Sequence, residues 1–403
     1  MSNFILFDDK RWQQLLPLTF TRPIAELRIG IDTIREKWSS ALQTNISYLT
    51  ETYLSEKFPA TYTEDNFYIY GGMIPDPKIY NAISELHTGE VLMQGDEIIA
   101  IRSAEKYFSG MSLSEHAKSF TIVNYAENTI RISRSWHLFQ NNDIVLRSDF
   151  ERLTKNKKSQ PASSTNTIIG NNLFIEDGAT VEGCIINTNT GPVYIGKNAE
   201  IMEGSMLRGP IAIGEFSTIK MGAKIYGATT IGPHCKIGGE VNNAIIMGYS
   251  NKAHDGFLGN SVLGEWCNLG ADTNISNLKN NYAEVKLWDY VTQRFFETGL
   301  QFCGLIMGDH SKCGINTMFN TGTVVGVNSN IFGDGYPRNF IPSYSWGGAT
   351  GFNTYKLKDA LTVAKEVMHR RNLELTDTEI KILTHIYELS EKYRKGQLIF
   401  IHK

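Results

Sequence analysis

Stepping six residues at a time through the middle of the chain lands on Ile195, Ile201, Leu207, Ile213, Ile219, Ile225, Ile231 and Ile237 without a miss. With roughly one residue in four aliphatic, such a run has a chance of about one in 10⁵, which stays below ~1% over all starting frames. A helix repeats every 3.6 residues and a strand every two, so neither produces a strict six. A β-solenoid with six residues per side does, because each side sends one aliphatic inward. Gly196, Gly214, Gly232 and Gly238 directly follow their aliphatics, as a backbone turning a corner between short strands requires.

The same period begins at Ile169, Ile175 and Val181, and returns as Phe257, Leu263, Leu269 and Ile275, then as Met307, Cys313, Phe319, Val325 and Ile331. Roughly twenty inward positions at three per coil predict six to seven coils, a prism ~30 Å tall. Three breaks stand out, at 187–192, 241–256 and 277–304. Regular repeats supply a scaffold, so the chemistry is expected where the period fails.

A chain of 403 residues has room for two or three domains. Its net charge of −3 gives no reason to expect nucleic acid or an anionic membrane as partner. The five cysteines contain no C-x-x-C pair, which suggests neither a disulfide framework nor a zinc site. No basic segment leads into an apolar run at the N-terminus, and no stretch reaches the ~18 apolar residues of a membrane span. A cytoplasmic location is the resulting expectation.

Residues 1–155 alternate strand-like pieces (4–7, 46–49, 67–70, 97–101) with helical ones, which argues an α/β domain. A helix is expected over 24–38, where Ile24, Leu27, Ile31, Ile34 and Trp38 share a face and Thr21 is a possible cap. The run Leu15-Leu16-Pro17-Leu18-Thr19-Phe20-Thr21-Arg22-Pro23, followed by Ala25-Glu26-Leu27-Arg28, resembles the start of a nucleotidyltransferase-like domain found ahead of hexapeptide repeats. That resemblance implies a nucleoside triphosphate with Mg²⁺. The glycine-rich phosphate loop is missing, however: Asp8-Asp9-Lys10-Arg11 stands in its place, and the domain is short. Lys10, Arg11 and Arg22 are candidates for phosphate, and Asp8 or Asp96 for a metal; a surface salt network and a Gly-Asp turn explain the same residues. Trp136 and His137 read as packed aromatics at the junction, and 156–167 as a polar linker.

Within the second break, Asn251-Lys252-Ala253-His254-Asp255-Gly256-Phe257-Leu258-Gly259 is followed by Asn268-Leu269-Gly270-Ala271. This resembles the acetyltransferase half of the bifunctional N-acetylglucosamine-1-phosphate uridyltransferase and glucosamine-1-phosphate acetyltransferase family. The resemblance implies a left-handed parallel β-helix over 168–345, with His254 as catalytic base and Asn268 contacting the sugar. It puts Ala271 and Asn277 near the thioester of acetyl-CoA. Asn242 and Phe257 stand where the family has Lys and Tyr, so the acceptor is expected to differ from glucosamine 1-phosphate. Arg208 and Lys286 lie near the family's phosphate-binding cations, or are ordinary exposed ion pairs. The resemblance also implies a homotrimer with CoA between prisms. Histidine suits the chemistry, since an attacking amine must lose a proton near pH 7.

Residues 346–403 are expected to form an α-helical tail, with a stripe of Leu357, Ala360, Leu361, Ala364 and Met368 and a second helix starting near Thr376. Lys365, His369, Arg370 and Arg371 would suit the 3′-phosphate of CoA or form a solvated face. The expected function is an acetyl-CoA-dependent acyltransferase acting on a phosphorylated or nucleotide-linked amino sugar, a small molecule used in cell-envelope precursor synthesis. The alternatives are a bifunctional enzyme that also transfers a nucleotidyl group, and a non-catalytic solenoid scaffold.

Overall fold

The structure, a computed structural model, describes residues 2–107 and 109–398. The N-terminal domain is built on one six-stranded sheet, β1 (Asn3–Phe7), β2 (Ser47–Leu49), β3 (Asn66–Tyr70), β4 (Glu90–Gln94), β5 (Glu97–Ser103) and β6 (Thr121–Asn124). Its order is β2-β1-β3-β5-β4-β6, with β1 parallel to both neighbours and β4–β5 an antiparallel hairpin. Helices α1 (Ile34–Leu42), α2 (Pro77–Ser84), α3 (Gly110–His116) and α4 (His137–Thr154) belong to the same domain.

The helix expected over 24–38 is largely replaced. Ile24–Glu26 forms a single 3-10 turn, the chain then runs extended, and α1 begins only at Ile34. Gly30 breaks the helix at φ +66°, in a site so tight that a Cβ would lie 2.3 Å from an Asp149 carboxylate oxygen. The true start is a capping box: Thr33 accepts from the Glu36 N–H and Glu36 accepts from the Thr33 N–H. The apolar residues of 24–29 matched a helical period because they enter the core from an extended segment instead.

From Thr167 onward the chain winds into a left-handed parallel β-helix of two- to four-residue strands. Its faces are here named A, B and C in the order the chain visits them: Thr167–Ile169 opens A, Leu173–Ile175 opens B and Thr180–Val181 opens C. Face B stacks nine strands and face C ten, the last antiparallel, so the prism has about nine layers and is ~40 Å tall, taller than the expected six to seven coils. The missing coils lie in the supposed break at 241–256. Glu240–Asn242, Ile245–Gly248, Asn251–Lys252 and Phe257–Gly259 continue all three faces. The corners are merely shorter, since Ile213 pairs with Ile231 but Ile231 pairs with Ile246. The break at 187–192 is likewise bridged in register. Only 277–304 is a true insertion, and it carries an antiparallel hairpin, Lys286–Asp289 with Arg294–Glu297.

The inward aliphatics form a continuous buried column, including Ile195, Ile213, Ile231, Leu263 and Val325. Each contributes ~1.5–3 kcal/mol, but only when the coils above and below cover it. At the corner between faces B and C a second column runs outside: Phe216, His234, Tyr249, Trp266 and His310 stack ring on ring, with centroids 4.3–6.1 Å apart. All five sit at positive φ, which bulky residues seldom adopt, so the stacking offsets local backbone strain.

The N-terminal domain docks on face B. Outward side chains of that face, Ile245, Met247, Val262, Ile306 and Val324, share one apolar core with the domain's sheet and helices. Polar contacts fix the register. Arg22 reaches across to Asp309 and, at 3.1 Å, to Glu265, while Asn142 donates to the Ala228 carbonyl and Thr230 Oγ1 to the Gly30 carbonyl. Trp136 is buried and stacks on Phe296 of the inserted hairpin, and Arg134 pairs with Asp289. The tail forms α5 (Leu357–His369), α6 (Asp377–Leu389) and α7 (Glu391–Leu398). Helix α6 ties the two parts together: Glu379 meets Lys57, Lys381 meets Glu56, and the Leu383 carbonyl accepts from Tyr344. No described helix is long and apolar enough to cross a membrane.

Because Arg22 and Asp309 form a buried cross-domain pair, with half-buried Glu265 as a second acceptor, removing only the cation strands the Asp309 carboxylate. Arg22→Met should cost about 3–5 kcal/mol in urea unfolding, and adding Asp309→Asn should recover part of it. An unchanged midpoint for the single variant would refute the clamp.

Candidate functional site

Four of the candidate residues lie on or beside the edge where face C turns into face A. His254 sits in the turn between Asn251–Lys252 and Phe257–Gly259, exposed, and its ring makes no hydrogen bond or ion pair among the described residues. The next coil stacks directly on this turn, for the Asp272 N–H donates to the Asp255 carbonyl at 3.1 Å. Gly256 makes that approach possible: its φ is +109° and a Cβ would lie 2.1 Å from the Thr273 carbonyl oxygen. Ala271 is therefore the stacked neighbour of His254, and its N–H donates no hydrogen bond among the described residues. Asn268 is exposed on face C in register with Asn251, their side-chain amides 3.3 Å apart. Phe257 opens the face A strand, its N–H held by Asn274 Oδ1 at 2.9 Å.

The opposite edge of face A carries the asparagines. Asn277 Nδ2 donates to Asn260 Oδ1 at 2.8 Å, and the Asn260 N–H donates to the Asn242 carbonyl at 3.0 Å. A three-residue strand separates the two edges, so Asn242 and Asn277 lie ~10 Å from the His254 edge rather than beside it. Arg208 is exposed on face A in the same column as Asn242, two rungs away with Tyr226 between them. Lys286 stands on the inserted hairpin, paired with Glu297 at 2.9 Å.

Two contributors were not read from the sequence. Lys252 occupies an inward repeat position, in register with Ile237, and is 2% exposed. Its ammonium turns outward to donate to the His254 carbonyl and, at 3.1 Å, to that of Asp255, so it holds the histidine turn from within. Burial pushes its pKa down to about 8. A lysine interrupting an otherwise apolar series was the available signal. Asn251 is the other, gripped by Arg371 of the tail at 3.2 Å, which brings that one member of the basic tail cluster onto face C.

The N-terminal candidates divide. Arg22 serves the domain clamp and is not free for phosphate. Asp8 is buried with both carboxylate oxygens taken, by the Ile24 N–H and the Thr50 hydroxyl, and burial raises its pKa to about 7. It latches the segment that carries Arg22 and does not fit the metal-ligand role. Arg11, Lys10 and Asp96 do come together, lining a cavity of about 720 Å³ with Asp9 and Glu97. Arg11 lies 3.4 Å above the Tyr70 ring and pairs with Asp9 and Glu97, while Asp96 is exposed in the β4–β5 turn. No cluster of three potential metal-ligating side chains occurs among the described residues.

If Lys252 positions the turn, Lys252→Met should keep the fold while loosening the His254 turn, read as faster hydrogen exchange at the amides of 254–256 with the rest of the prism unchanged. The unfolded chain holds the lysine proton up to about 10.5 and the folded chain only to about 8, so the wild type gains stability as pH rises between those values. The methionine variant lacks that gain, and paired thermal melts at pH 7.5 and 10 should show it. Equal pH responses would refute a buried ammonium.

Residues 4–158 match the family described as sugar nucleotidyl transferase. A bifunctional sugar-1-phosphate nucleotidylyltransferase/acetyltransferase of Sulfurisphaera tokodaii is 31% identical over 263 residues, 64% of this chain and 59% of its own. The bifunctional protein GlmU of Methanocaldococcus jannaschii is 36% identical over 89 residues, 22% of this chain and 21% of its own. Among solved structures, a hexapeptide transferase family protein from Anaplasma phagocytophilum is 18% identical with a TM-score of 0.22, covering 58% of this chain and 90% of its own. The chain thus spans about three-fifths of the first relative and a fifth of the second. With a sugar nucleotidyl transferase match in its first domain and a hexapeptide β-helix after it, the chain is a relative of the bifunctional sugar-1-phosphate nucleotidylyltransferase/acetyltransferase proteins.

Proposed function

We propose that the chain is an acetyl-CoA-dependent acyltransferase whose acceptor is a phosphorylated or nucleotide-linked amino sugar. The observation that carries this reading is the His254 turn: an exposed imidazole without a partner among the described residues, stacked on the Ala271 corner, beside Asn268, and braced from the core by Lys252. His254 takes the proton from the acceptor amine as its nitrogen attacks the thioester carbon. The C–S bond then breaks, and the proton passes to the departing CoA thiolate. The Ala271 N–H is a donor suited to the oxyanion formed in between. Asn268 orients the sugar and Arg371 offers charge for a CoA phosphate; Arg208, Asn242 and Phe257 extend the surface along face A for the rest of the acceptor. Face B is covered by the protein's own N-terminal domain, whereas the His254 edge is open, which supports a homotrimer in which a neighbouring prism completes the site.

His254→Ala should lower kcat by about 10²–10⁴-fold while CoA binding persists, read as thiol release with glucosamine 1-phosphate and UDP-linked amino sugars as acceptors. Undiminished transfer would remove the mechanism, and a wild type that binds no CoA would favour a scaffold.

The second reading, a bifunctional enzyme, is favoured by the family match over 4–158 together with the Lys10, Arg11 and Asp96 cavity. It expects pyrophosphate release from a nucleoside triphosphate and a sugar 1-phosphate, lost in Lys10→Glu. Silence across all four triphosphates would leave the domain as a docking module.

A further inference from the structure

The inserted hairpin builds a cavity of about 730 Å³ that the acetyl-transfer site does not use. Four separate segments wall it: the hairpin with its approach, the turn at Thr321, the loop leading to Phe340–Ile341, and α7. Its apolar wall is rigid. Trp288 stacks on Phe340 with centroids 4.2 Å apart and planes 10° from parallel, and Phe340 meets Tyr393 edge-on. Phe295 packs edge-on to Trp288 yet remains 45% exposed, an aromatic face left in solvent. The Trp288 indole nitrogen is buried and has no hydrogen-bond partner among the described residues.

The charge around this wall is one-sided. Lys279, Lys286, Arg338 and Lys392 all line the cavity, and no carboxylate does among the described residues, although the chain as a whole is net −3. The ion pair of Lys286 with Glu297 is exposed on both sides, a solvent-screened arrangement that yields readily to a better anion. Lys279 donates to the Glu284 carbonyl and feels only the Glu297 carboxylate that it shares with Lys286, so the two lysines together keep an excess of positive charge. Gln293 and Asn339 add amides able to read the edge of a heterocycle. A fatty acid needs one cation and a deep apolar tube, and a neutral sugar needs no cation. A flat heterocycle on the aromatic wall, carrying phosphates toward the lysines, uses every feature at once.

We propose that this cavity is a nucleotide site: a base packs against Phe295 and Trp288, and a diphosphate is held by Lys279, Lys286 and Lys392. The base and diphosphate could come from CoA or from a UDP-linked sugar, and calorimetry on the full chain separates the sources with ADP, CoA, UDP and UDP-N-acetylglucosamine, using adenosine, uridine and pyrophosphate as half-ligands. At least one nucleotide should bind about tenfold or more tighter than its own halves, with Phe295→Ala and Lys392→Glu each weakening it about tenfold. The His254→Ala protein should bind it unchanged, so this site can stand if the acetyl-transfer reading falls, and the reverse. No binding up to ~1 mM by any nucleotide, or binding indifferent to both substitutions, overturns the proposal.

Discussion

Every coil of the β-helix must hand its backbone hydrogen bonds to the next and cover the next coil's inward side chains. Most other features of the molecule follow from that constraint. Strands of two to four residues are too short to persist alone, and they hold here because nine or ten stack in register. The same stacking sets the positions of outward residues. His254, Ala271 and Asn268 come together because their coils are in register, and the hydrogen bond from Asp272 to Asp255 ties the two turns with no side chain involved. An arrangement of side chains built this way is as rigid as the prism itself.

Docking of the N-terminal domain is the second determinant. It covers face B with apolar contacts and locks them through Arg22 between Glu265 and Asp309. Glu265 and Asp309 directly precede Trp266 and His310 of the stacked aromatic column, so the clamp and the column stiffen the same corner. Helix α6 closes over that junction and ends up touching both domains. The consequence is geometric: one face is sealed, while face A and the His254 edge remain open.

The repeat and the order of an α/β domain, a β-helix and C-terminal helices were legible in the sequence because each depends on local spacing. Errors arose where spacing was shared by two structures. The apolar residues of 24–38 fit a helix, yet Gly30 and the Thr33–Glu36 cap divide the segment, and only the packing of Gly30 against Asp149 shows why. At 241–256 a corner shortened between Ile231 and Ile246 looked like the loss of the repeat, although the strands continue. Arg22 and Asp8 looked like phosphate and metal ligands because ion-pairing side chains are the same residues that bind ions. Their partners, Asp309 and Thr50, lie far away in sequence and nothing in the local pattern announces them.

The sequence by itself determined that this chain builds a hexapeptide prism preceded by an α/β domain, since a six-residue period admits no helix or flat sheet. It placed His254 in an interruption of the repeat, and the stacked coils put it in a turn of the prism instead. Tertiary structure alone decided which charges are free and which are committed. Lys252 shows the distinction most clearly: by period it belongs in the core, and by packing its ammonium turns to the His254 turn because a buried charge must find acceptors. Burial and pairing are properties of distant contacts, and one-dimensional spacing does not contain them.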